Sequence, residues 1–366
     1  MIFYRQFVER NDYDLFVVTD RGDFSSNYFP SIQYRLPTIL RRLQRTRIAN
    51  YVHDFIHLTS GWLIPREIEV AARQFNPDLV MVGAETPIAD LGICLSRKLK
   101  VPLVGHFMDW PTFAIAGHSW ISSYASKRFR KRYRACDLAF GICPEMLERL
   151  GPHPNAHVFY PPGKLPDFIP NHRVKSPNEP YHIFFAGNLG QWYGRMVLQL
   201  AQTIDCNKNL KFSIAGKNAN WTSEEEAWLI QNDFFAGFKK GAEYEKLFES
   251  ADCLLVCMGF DKEAELIEST SFKSKFVDYL RSGKPIVVWG PEYCTAIRHA
   301  RKYGFAACVT DPDPVSVMEV AERLYQDLKT CDQLTKKALD FFKAKINCDI
   351  VFSNALSEKK KLILRN

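Results

Sequence analysis

The chain has 366 residues, of which 46% are hydrophobic and 24% charged. Both fractions are close to the averages for folded soluble proteins, so the composition excludes a disordered or low-complexity protein. A chain of this length usually exceeds what a single hydrophobic core supports, so two domains of ordinary size are favoured.

The ten cysteines are scattered singly, with no C-x-x-C pair and no tight cluster of cysteine with histidine. Neither a disulfide framework nor a zinc site is therefore predicted, and buried free thiols indicate a reducing cytosol. No uncharged apolar run approaches the roughly 20 residues that cross a bilayer, and the N-terminus lacks a secretory pattern. We expect a cytoplasmic protein that at most touches the cytoplasmic face of a membrane.

The formal net charge of +7 is unevenly placed along the chain. One helix-like stretch carries Lys127, Arg128, Arg130, Lys131, Arg132 and Arg134, and another carries Arg41, Arg42, Arg45 and Arg47. Such runs are often only a solvated face, but they also attract anionic lipid headgroups, and we predict a possible anionic membrane partner for the first stretch. No nucleic-acid motif accompanies them, so nucleic acid is not an expected partner.

Short apolar runs alternate with amphipathic stretches of helical length, which is the pattern of repeated β-α units around a parallel sheet. In the first half this pattern predicts strands at residues 15–19, 79–82, 102–105, 138–141 and 157–160. A doubly wound domain normally opens with an apolar strand and a glycine-rich turn, yet residues 4–10 have a helical pattern. Either the gene start is placed too late or the domain lacks that first unit.

Prolines punctuate residues 160–180, and because proline fixes φ and lacks an N–H, this segment cannot lie inside a sheet. Beyond it, strands are predicted at residues 181–185, 211–214, 233–236, 253–257, 285–288 and 306–309. The predicted fold class is α/β, with one Rossmann-like domain over residues 1–164, a linker over 165–180 and a second such domain over 181–338. A helical strap over residues 339–366 is expected to return to the first domain.

Ligands of open α/β sheets bind beyond the carboxyl ends of the strands, which selects the residues just after each strand. The strand at 181–185 runs into the turn Gly187-Asn188-Leu189-Gly190, where backbone amides can approach a phosphate. A plain tight turn is the alternative. The turn lacks the G-x-G-x-x-G spacing, which disfavours a dinucleotide-dependent dehydrogenase.

A second candidate is the Ser/Thr-rich loop that precedes a helix at about residue 275. Its exposed amides and Lys275 can hold a diphosphate, and Asp278 can accept hydrogen bonds from ribose hydroxyls. An ordinary capped amphipathic helix would show the same pattern.

Two further positions follow predicted strands. His106 comes directly after the strand at 102–105 and can hydrogen-bond a sugar hydroxyl or a leaving group, although a structural histidine is the alternative. Asp311 and Asp313 form a D-x-D pattern that in another architecture holds a metal. Because Pro314 follows, Asp313 is better interpreted as a helix N-cap with proline at the first helical position.

Taken together, these patterns resemble the family-4 retaining glycosyltransferases of the GT-B fold over most of the chain. The resemblance rests on the order and spacing of FNPDLV at residues 75–80, ACDLA at 135–139, GNLG at 187–190, SIAG at 213–216, SADCLL at 250–255 and KFVDYL at 275–280 followed by GKPIV at 283–287.

The resemblance implies two Rossmann-like domains facing an interdomain cleft, with the acceptor on the first and a nucleotide-diphosphate sugar on the second. It implies a metal-independent hexosyltransferase that retains configuration and needs no cofactor besides its sugar-nucleotide substrate. By position, Gly187, Asn188, Leu189 and Gly190 would lie along the diphosphate, the Ser271 and Phe272 amides and Lys275 would meet its phosphates, Asp278 would bind ribose, and His106 would approach the sugar.

Two departures accompany the resemblance. Arg195 is the only substitute for the basic residues that the family has after the glycine turn, and Thr270 replaces the first of two glutamates eight positions apart, with Glu268 nearby. Family habit suggests a glycan or lipid-linked acceptor in bacterial surface polysaccharide biosynthesis. A GT-B nucleotide-sugar epimerase and a catalytically degenerate sugar-nucleotide-binding subunit remain alternatives.

Overall fold

The computed structural model describes residues 13–20, 29–59, 64–86, 88–111, 119–164, 179–190, 192–204 and 209–346. The chain divides into two compact units, and the second begins at Gly163. Most of the predicted linker, the predicted helix at residues 4–10 and the end of the predicted strap lie outside the described residues.

The first unit contains the strands β1 (Val17–Thr19), β2 (Ser31–Gln33), β3 (Val80–Gly83), β4 (Leu103–Phe107), β5 (Leu138–Gly141) and β6 (Ala156–Val158). Four of them form a parallel sheet in the order β3-β4-β5-β6. The two short strands β1 and β2 pair with each other in parallel. Its helices are α1 (Thr38–Leu43), α2 (Ala49–Thr59), α3 (Arg66–Phe75), α4 (Ala89–Leu99), α5 (Ser119–Ala135) and α6 (Pro144–Leu150).

Strand β4 is longer than the sequence indicates. It continues through Phe107, so His106 lies inside the strand rather than after it. The reason is the register with β5, in which His106 is opposite Phe140 and Phe107 is opposite Gly141, so that the ladder does not end at Gly105. Strand β2, at 31–33, was not predicted, since three residues with one apolar side chain give no alternating pattern.

The basic run of α5 is divided between the inside and the outside of the first unit. Arg128 and Arg132 each place a guanidinium nitrogen 2.6 Å from Asp90 of α4, and Arg132 also donates to the Ala84 carbonyl. Arg130 lies over the Trp110 ring, 5.1 Å from its centroid. The exposed basic residues of the run are Lys127, Lys131 and Arg134.

The second unit contains the strands β7 (Tyr181–Asn188), β8 (Leu210–Lys217), β9 (Cys253–Cys257), β10 (Ile286–Trp289) and β11 (Ala307–Val309). They form a parallel five-stranded sheet in the order β11-β10-β9-β7-β8. Its helices are α7 (Trp192–Ile204), α8 (Ser223–Gln231), α9 (Gly241–Ser250), α10 (Glu265–Glu268), α11 (Lys275–Tyr279), α12 (Thr295–Tyr303), α13 (Pro314–Gln326) and α14 (Leu328–Phe341), with a 3₁₀ turn at Lys262–Ala264 and a π-helical turn at Phe342–Ile346. From β7 the sheet grows to β8 on one side and through β9, β10 and β11 on the other, which is the doubly wound pattern.

The strands β9 and β10 of this sheet are apolar because both faces of the sheet are covered there. Every residue of β9 and β10 is buried, and Phe184 and Phe212 have no appreciable exposed surface. Near-continuous apolar strands are typical of parallel sheets with helices on both faces, whereas a sheet with one wet face would alternate.

The strand predicted at residues 233–236 is wrong. Phe235 forms only a single bridge with Ile214 of β8. Left-handed backbone at Asp233, with φ 57°, and at Gly237, with φ 75°, brackets the segment, so too few residues are extended for a strand. The segment nevertheless runs beside β8, where Gly216 donates to the Gly237 carbonyl at 3.0 Å.

The acidic pattern at residues 311–313 caps a helix, as predicted. Asp313 accepts the amide of Val315 at 3.0 Å, and Pro314 occupies the first turn of α13. No group of three or more potential metal ligands occurs among the described residues. Within the same part of the chain, every helix is too short or too polar to traverse a bilayer.

Replacing the capping carboxylate tests this interpretation. Asp313→Ala is expected to lower the free energy of unfolding by about 1 kcal/mol, because the Val315 amide loses its acceptor. Glu319→Ala, at an exposed position of the same helix, is the control and should leave the urea midpoint nearly unchanged. Equal effects of the two substitutions would show that the Asp313 contact contributes nothing.

Candidate functional site

The candidate site lies at the carboxyl ends of β7, β8 and β9 in the second unit. Gly187 near the end of β7 is paired with Gly216 of β8, and Gly259 follows the end of β9. Helix α7 begins after the turn that follows β7, as the sequence predicted, although β7 extends to Asn188, three residues beyond the predicted end.

Lys275 crosses the end of β7 at Gly187. A Cβ atom at Gly187 would overlap the Cε and Nζ atoms of Lys275, so only glycine permits this close approach. The ammonium group lies 4.0 Å from the centroid of the Phe185 ring, within the range of a cation–π contact. The structure therefore brings Lys275 into contact with the glycine turn. That the two act together on a ligand stays a prediction.

Burial perturbs the Lys275 amine. Loss of water around the charged form lowers its pKa to about 8. Cys257 opposes this shift, Lys273 adds to it, and Glu268 has a smaller opposing effect. The group is still mainly protonated at pH 7. A partly desolvated ammonium beside a second one favours the approach of an anion.

A buried carboxylate organises the neighbouring groups. Glu268 accepts the Tyr193 hydroxyl at 2.5 Å and the Gly259 amide at 3.2 Å, and it forms an ion pair with Lys273 at 3.0 Å. Lys273 also donates to the Tyr193 hydroxyl at 3.0 Å. Burial raises the pKa of the Tyr193 phenol, which therefore remains a neutral hydrogen-bond donor.

This network was missed by sequence reasoning, which noted Glu268 only as a glutamate near Thr270. Its members come from four parts of the chain: α7, the residues after β9, the end of α10 and the segment between α10 and α11. A usable signal was that Tyr193 stands just after the glycine turn, where a basic residue was expected, while Lys273 is two positions before Lys275.

The loop before α11 is tied into the chain by its own polar groups. The Ser271 amide donates to the Ile267 carbonyl at 2.9 Å, and the Ser271 carbonyl accepts the Thr295 hydroxyl. The Phe272 ring packs 5.3 Å from that of Phe276. A phosphate that used the Ser271 amide would therefore have to replace the Ile267 carbonyl as its acceptor.

Asp278 is half-buried on α11, one turn after Lys275. It forms an ion pair with Arg281 at 3.0 Å, and Arg281 donates to the Lys164 carbonyl at 2.8 Å. The carboxylate is thus held in place by Arg281, which lies just after the end of its helix.

The remaining predicted donor residues have different surroundings. Arg195 is paired at 2.5 Å with Glu225, which completes the capping box of α8, so the structure ties this guanidinium to α8. Leu189 is fully buried, and its amide donates to the Lys217 carbonyl. Asn188 accepts a hydrogen bond from Asn218 at 3.1 Å, beside Gly190.

His106 belongs to the first unit and is fully buried within β4. Its ring contacts that of Phe159 edge to face, with centroids 5.4 Å apart. Burial lowers the pKa of the imidazole to about 4, so it is neutral at pH 7. A neutral imidazole can donate or accept a hydrogen bond but carries no charge for an anion.

A carboxylate that the sequence prediction overlooked follows β3. Glu85 accepts the Met108 amide at 2.5 Å, just after the end of β4, and burial raises the pKa of Glu85 to about 7. Its position two residues after Gly83 is the same kind of strand-end position that drew attention to His106.

No family model and no curated protein matches this chain. Solved structures do. HepE of Anabaena, in complex with UDP-glucose, aligns with a TM-score of 0.61 and 12% identity over 95% of this chain and 99% of that chain. Sucrose-phosphate synthase of Thermosynechococcus elongatus aligns with a TM-score of 0.65 and 10% identity over 98% of this chain and 91% of that chain.

The lipopolysaccharide outer core galactosyltransferase WaaB aligns with a TM-score of 0.59 and 11% identity, over 94% of this chain and 90% of that chain. These similar structures are GT-B glycosyltransferases, and the fold of this chain is of the same class, as the sequence predicted. At such low identity the likeness concerns the fold.

The buried network predicts a measurable loss of stability. Tyr193→Phe removes a hydrogen bond to the buried Glu268 carboxylate and should lower the free energy of unfolding by about 1.5–3 kcal/mol, as measured by urea denaturation. Tyr133→Phe, which removes a hydrogen bond to the neutral Gly151 carbonyl, is the matched control and should cost about 1 kcal/mol. A Tyr193→Phe protein as stable as the unsubstituted chain would contradict the assigned network.

Proposed function

We propose that this chain is a glycosyltransferase that moves a sugar from a nucleotide-diphosphate donor to a glycan or lipid-linked acceptor. The observation that carries the proposal is the Lys275 ammonium, held across Gly187 at the carboxyl end of β7. In an open α/β sheet this edge is where ligands bind, and the fold is one that glycosyltransferases use.

In this proposal the second unit holds the donor. Lys275 and Lys273 contact the diphosphate, whose negative charge compensates two neighbouring ammonium groups. Backbone at Gly187 and Gly190 lets phosphate oxygens approach closely, and the half-buried Asp278 accepts hydrogen bonds from ribose hydroxyls. UDP-glucose is the ligand of the similar HepE structure, which makes uridine nucleotides the first donors to test.

Catalysis in this scheme is electrostatic. The bond between the sugar and the diphosphate breaks while Lys275 stabilises the charge that develops on the leaving group. The lysines supply positive charge from the chain itself, which supports a metal-independent reaction. We further propose that the acceptor attacks on the face that the leaving group vacates, so that the configuration is retained.

The proposed class of acceptor rests on a similar solved structure. WaaB is described as a lipopolysaccharide outer core galactosyltransferase, which supports a role in bacterial surface polysaccharide biosynthesis. The first unit is proposed to bind that acceptor, and Glu85 is its most suitable acid–base group, because a carboxyl with a pKa of about 7 can exchange a proton at neutral pH.

Donor binding can be tested by thermal-shift measurements with UDP-, GDP-, ADP- and dTDP-sugars. A ligand that binds only the native state raises the melting temperature, and one class of donor should do so. Lys275→Met is expected to weaken that donor about tenfold to a hundredfold, because a charge-assisted hydrogen bond is lost. Lys302→Met, at an exposed position of α12, should bind as the unsubstituted chain does.

Product analysis then separates the possible activities. Sugar recovered on an acceptor supports glycosyl transfer, and an epimerised sugar with free nucleotide would indicate an epimerase instead. Binding without turnover would identify a degenerate subunit. Unaltered donor binding by Lys275→Met would overturn the assigned site.

The pKa of Lys275 predicts a pH dependence. The ammonium loses its proton as the pH rises through about 8, so the affinity for a nucleoside diphosphate should fall over that range. Lys275→Arg stays protonated and should remove this dependence while retaining some affinity. Isothermal titration calorimetry at several pH values measures both proteins. A decline of equal size in Lys275→Arg would assign it to another group.

A further inference from the structure

Exposed apolar side chains are concentrated on α1, α2 and the turn between them. Ten large hydrophobic residues are exposed in the described part of the chain, and four of them occur between residues 39 and 55. These are Ile39, Ile48, Tyr51 and Phe55, of which Tyr51 is 64% exposed and Phe55 50%. We call these four, together with Arg41, Arg42, Arg45 and Arg47, the α1–α2 surface.

Helix α2 is apolar on two sides. Val52 and Ile56 are buried against the first unit, as an amphipathic helix requires. Tyr51 and Phe55, four residues apart, share a neighbouring side, about 100° around the helix from Val52 and Ile56, and Ile48 lies one turn before Tyr51. The inward side chains account for the packing of the helix, whereas at least half of the surface of Tyr51 and of Phe55 is exposed. Contiguous apolar groups on a surface commonly mark a contact site.

The same segment is exclusively basic. From residue 24 to residue 53 the sequence has no aspartate or glutamate but has five arginines: Arg35, Arg41, Arg42, Arg45 and Arg47. The last four are exposed, and among the described residues none of them takes part in an ion pair. Arg128 and Arg132 of α5, by contrast, both form ion pairs with Asp90. The positive charge of the α1–α2 surface is therefore available to an external anion.

We propose that the α1–α2 surface binds the surface of an anionic lipid bilayer. The combination of exposed aromatic and aliphatic side chains with arginines matches the interface of an anionic bilayer, where apolar acyl chains meet negatively charged headgroups. The arginine guanidinium pairs with phosphate in a bidentate manner, and aromatic rings favour the headgroup level. A second copy of the chain is a poor occupant, because two such surfaces would bring eight unpaired arginines together.

The proposal is independent of the proposed enzymatic activity. It concerns side chains on α1, on α2 and in the connecting turn, none of which was assigned to the donor site. It can therefore be tested with the full-length chain and lipid vesicles in the absence of any nucleotide sugar, and its failure would leave the donor site untouched.

Co-sedimentation with vesicles is the direct test. The chain should bind vesicles of mixed phosphatidylglycerol and phosphatidylcholine, and not vesicles of phosphatidylcholine alone. Arg41→Gln/Arg42→Gln/Arg45→Gln should weaken binding about a hundredfold, since each basic residue near an anionic surface contributes about a factor of five. Lys127→Gln/Lys131→Gln/Arg134→Gln removes three exposed charges from α5 and is the matched control, expected to retain most of the affinity. Equal losses would overturn the assignment to this surface.

Insertion of apolar side chains is tested separately from charge. Tyr51→Ser/Phe55→Ser should weaken vesicle binding about tenfold, because two side chains no longer enter the interface. Ile230→Ser, at an exposed position of α8, is the control and should have no effect. A Tyr51→Ser/Phe55→Ser protein that binds vesicles normally would overturn the proposal. So would light scattering that shows a dimer of the original chain that this double substitution dissociates.

Discussion

One buried carboxylate fixes the geometry of the candidate donor site. Glu268 accepts hydrogen bonds from the Gly259 amide, which follows β9, and from the hydroxyl of Tyr193 on α7, and it forms an ion pair with Lys273. It therefore joins the end of β9 and the start of α7 to the loop before α11. A buried charge with several good partners is tolerated, whereas the same charge with a partner missing costs several kcal/mol, so the three contacts depend on one another. The position of α11, and with it that of Lys275, follows from this arrangement.

That arrangement leaves the site short of negative charge. Glu268 is already paired with Lys273, and Lys275 is held nearby in surroundings that lower its pKa to about 8. A lowered pKa means that the protonated amine is less stable there than in water, and an anion that replaces the missing hydration relieves this cost. The chain thus maintains an unfavourable charge in the absence of ligand. Such perturbed groups cluster at functional sites more often than chance, which is the physical basis for choosing this edge over others.

The sequence predicted what local rules decide and missed what distant contacts decide. The buried strands β5 and β9 match their predicted bounds, and Asp313 caps its helix, because apolar runs and N-cap chemistry depend on a few adjacent residues. The prediction of a strand at 233–236 was wrong because left-handed backbone at Asp233 and Gly237 brackets the segment, and composition does not reveal that backbone conformation. The Tyr193–Lys273 contact joins residues 80 positions apart, so no local pattern predicts it. Gly187 and Lys275 were selected because each follows a predicted strand or loop, and the structure brings them into contact, although their role in binding stays a prediction.

The two basic stretches show why a charge run cannot be interpreted from sequence alone. The run on α5 looked the stronger of the two, with six basic residues in eight positions. Two of them form ion pairs with a single aspartate on α4, and a third lies over the Trp110 ring. The shorter run around α1 has no acidic neighbour in sequence and adjoins side chains that are apolar and exposed. Electrostatic attraction between exposed charges is screened beyond a Debye length of about 8 Å. Binding to an anionic surface therefore depends on unpaired basic residues that lie next to exposed apolar side chains, rather than on the total number of lysines and arginines. By that criterion the basic stretch around α1, although it is shorter in the sequence, is better suited to bind an anionic surface than the stretch on α5.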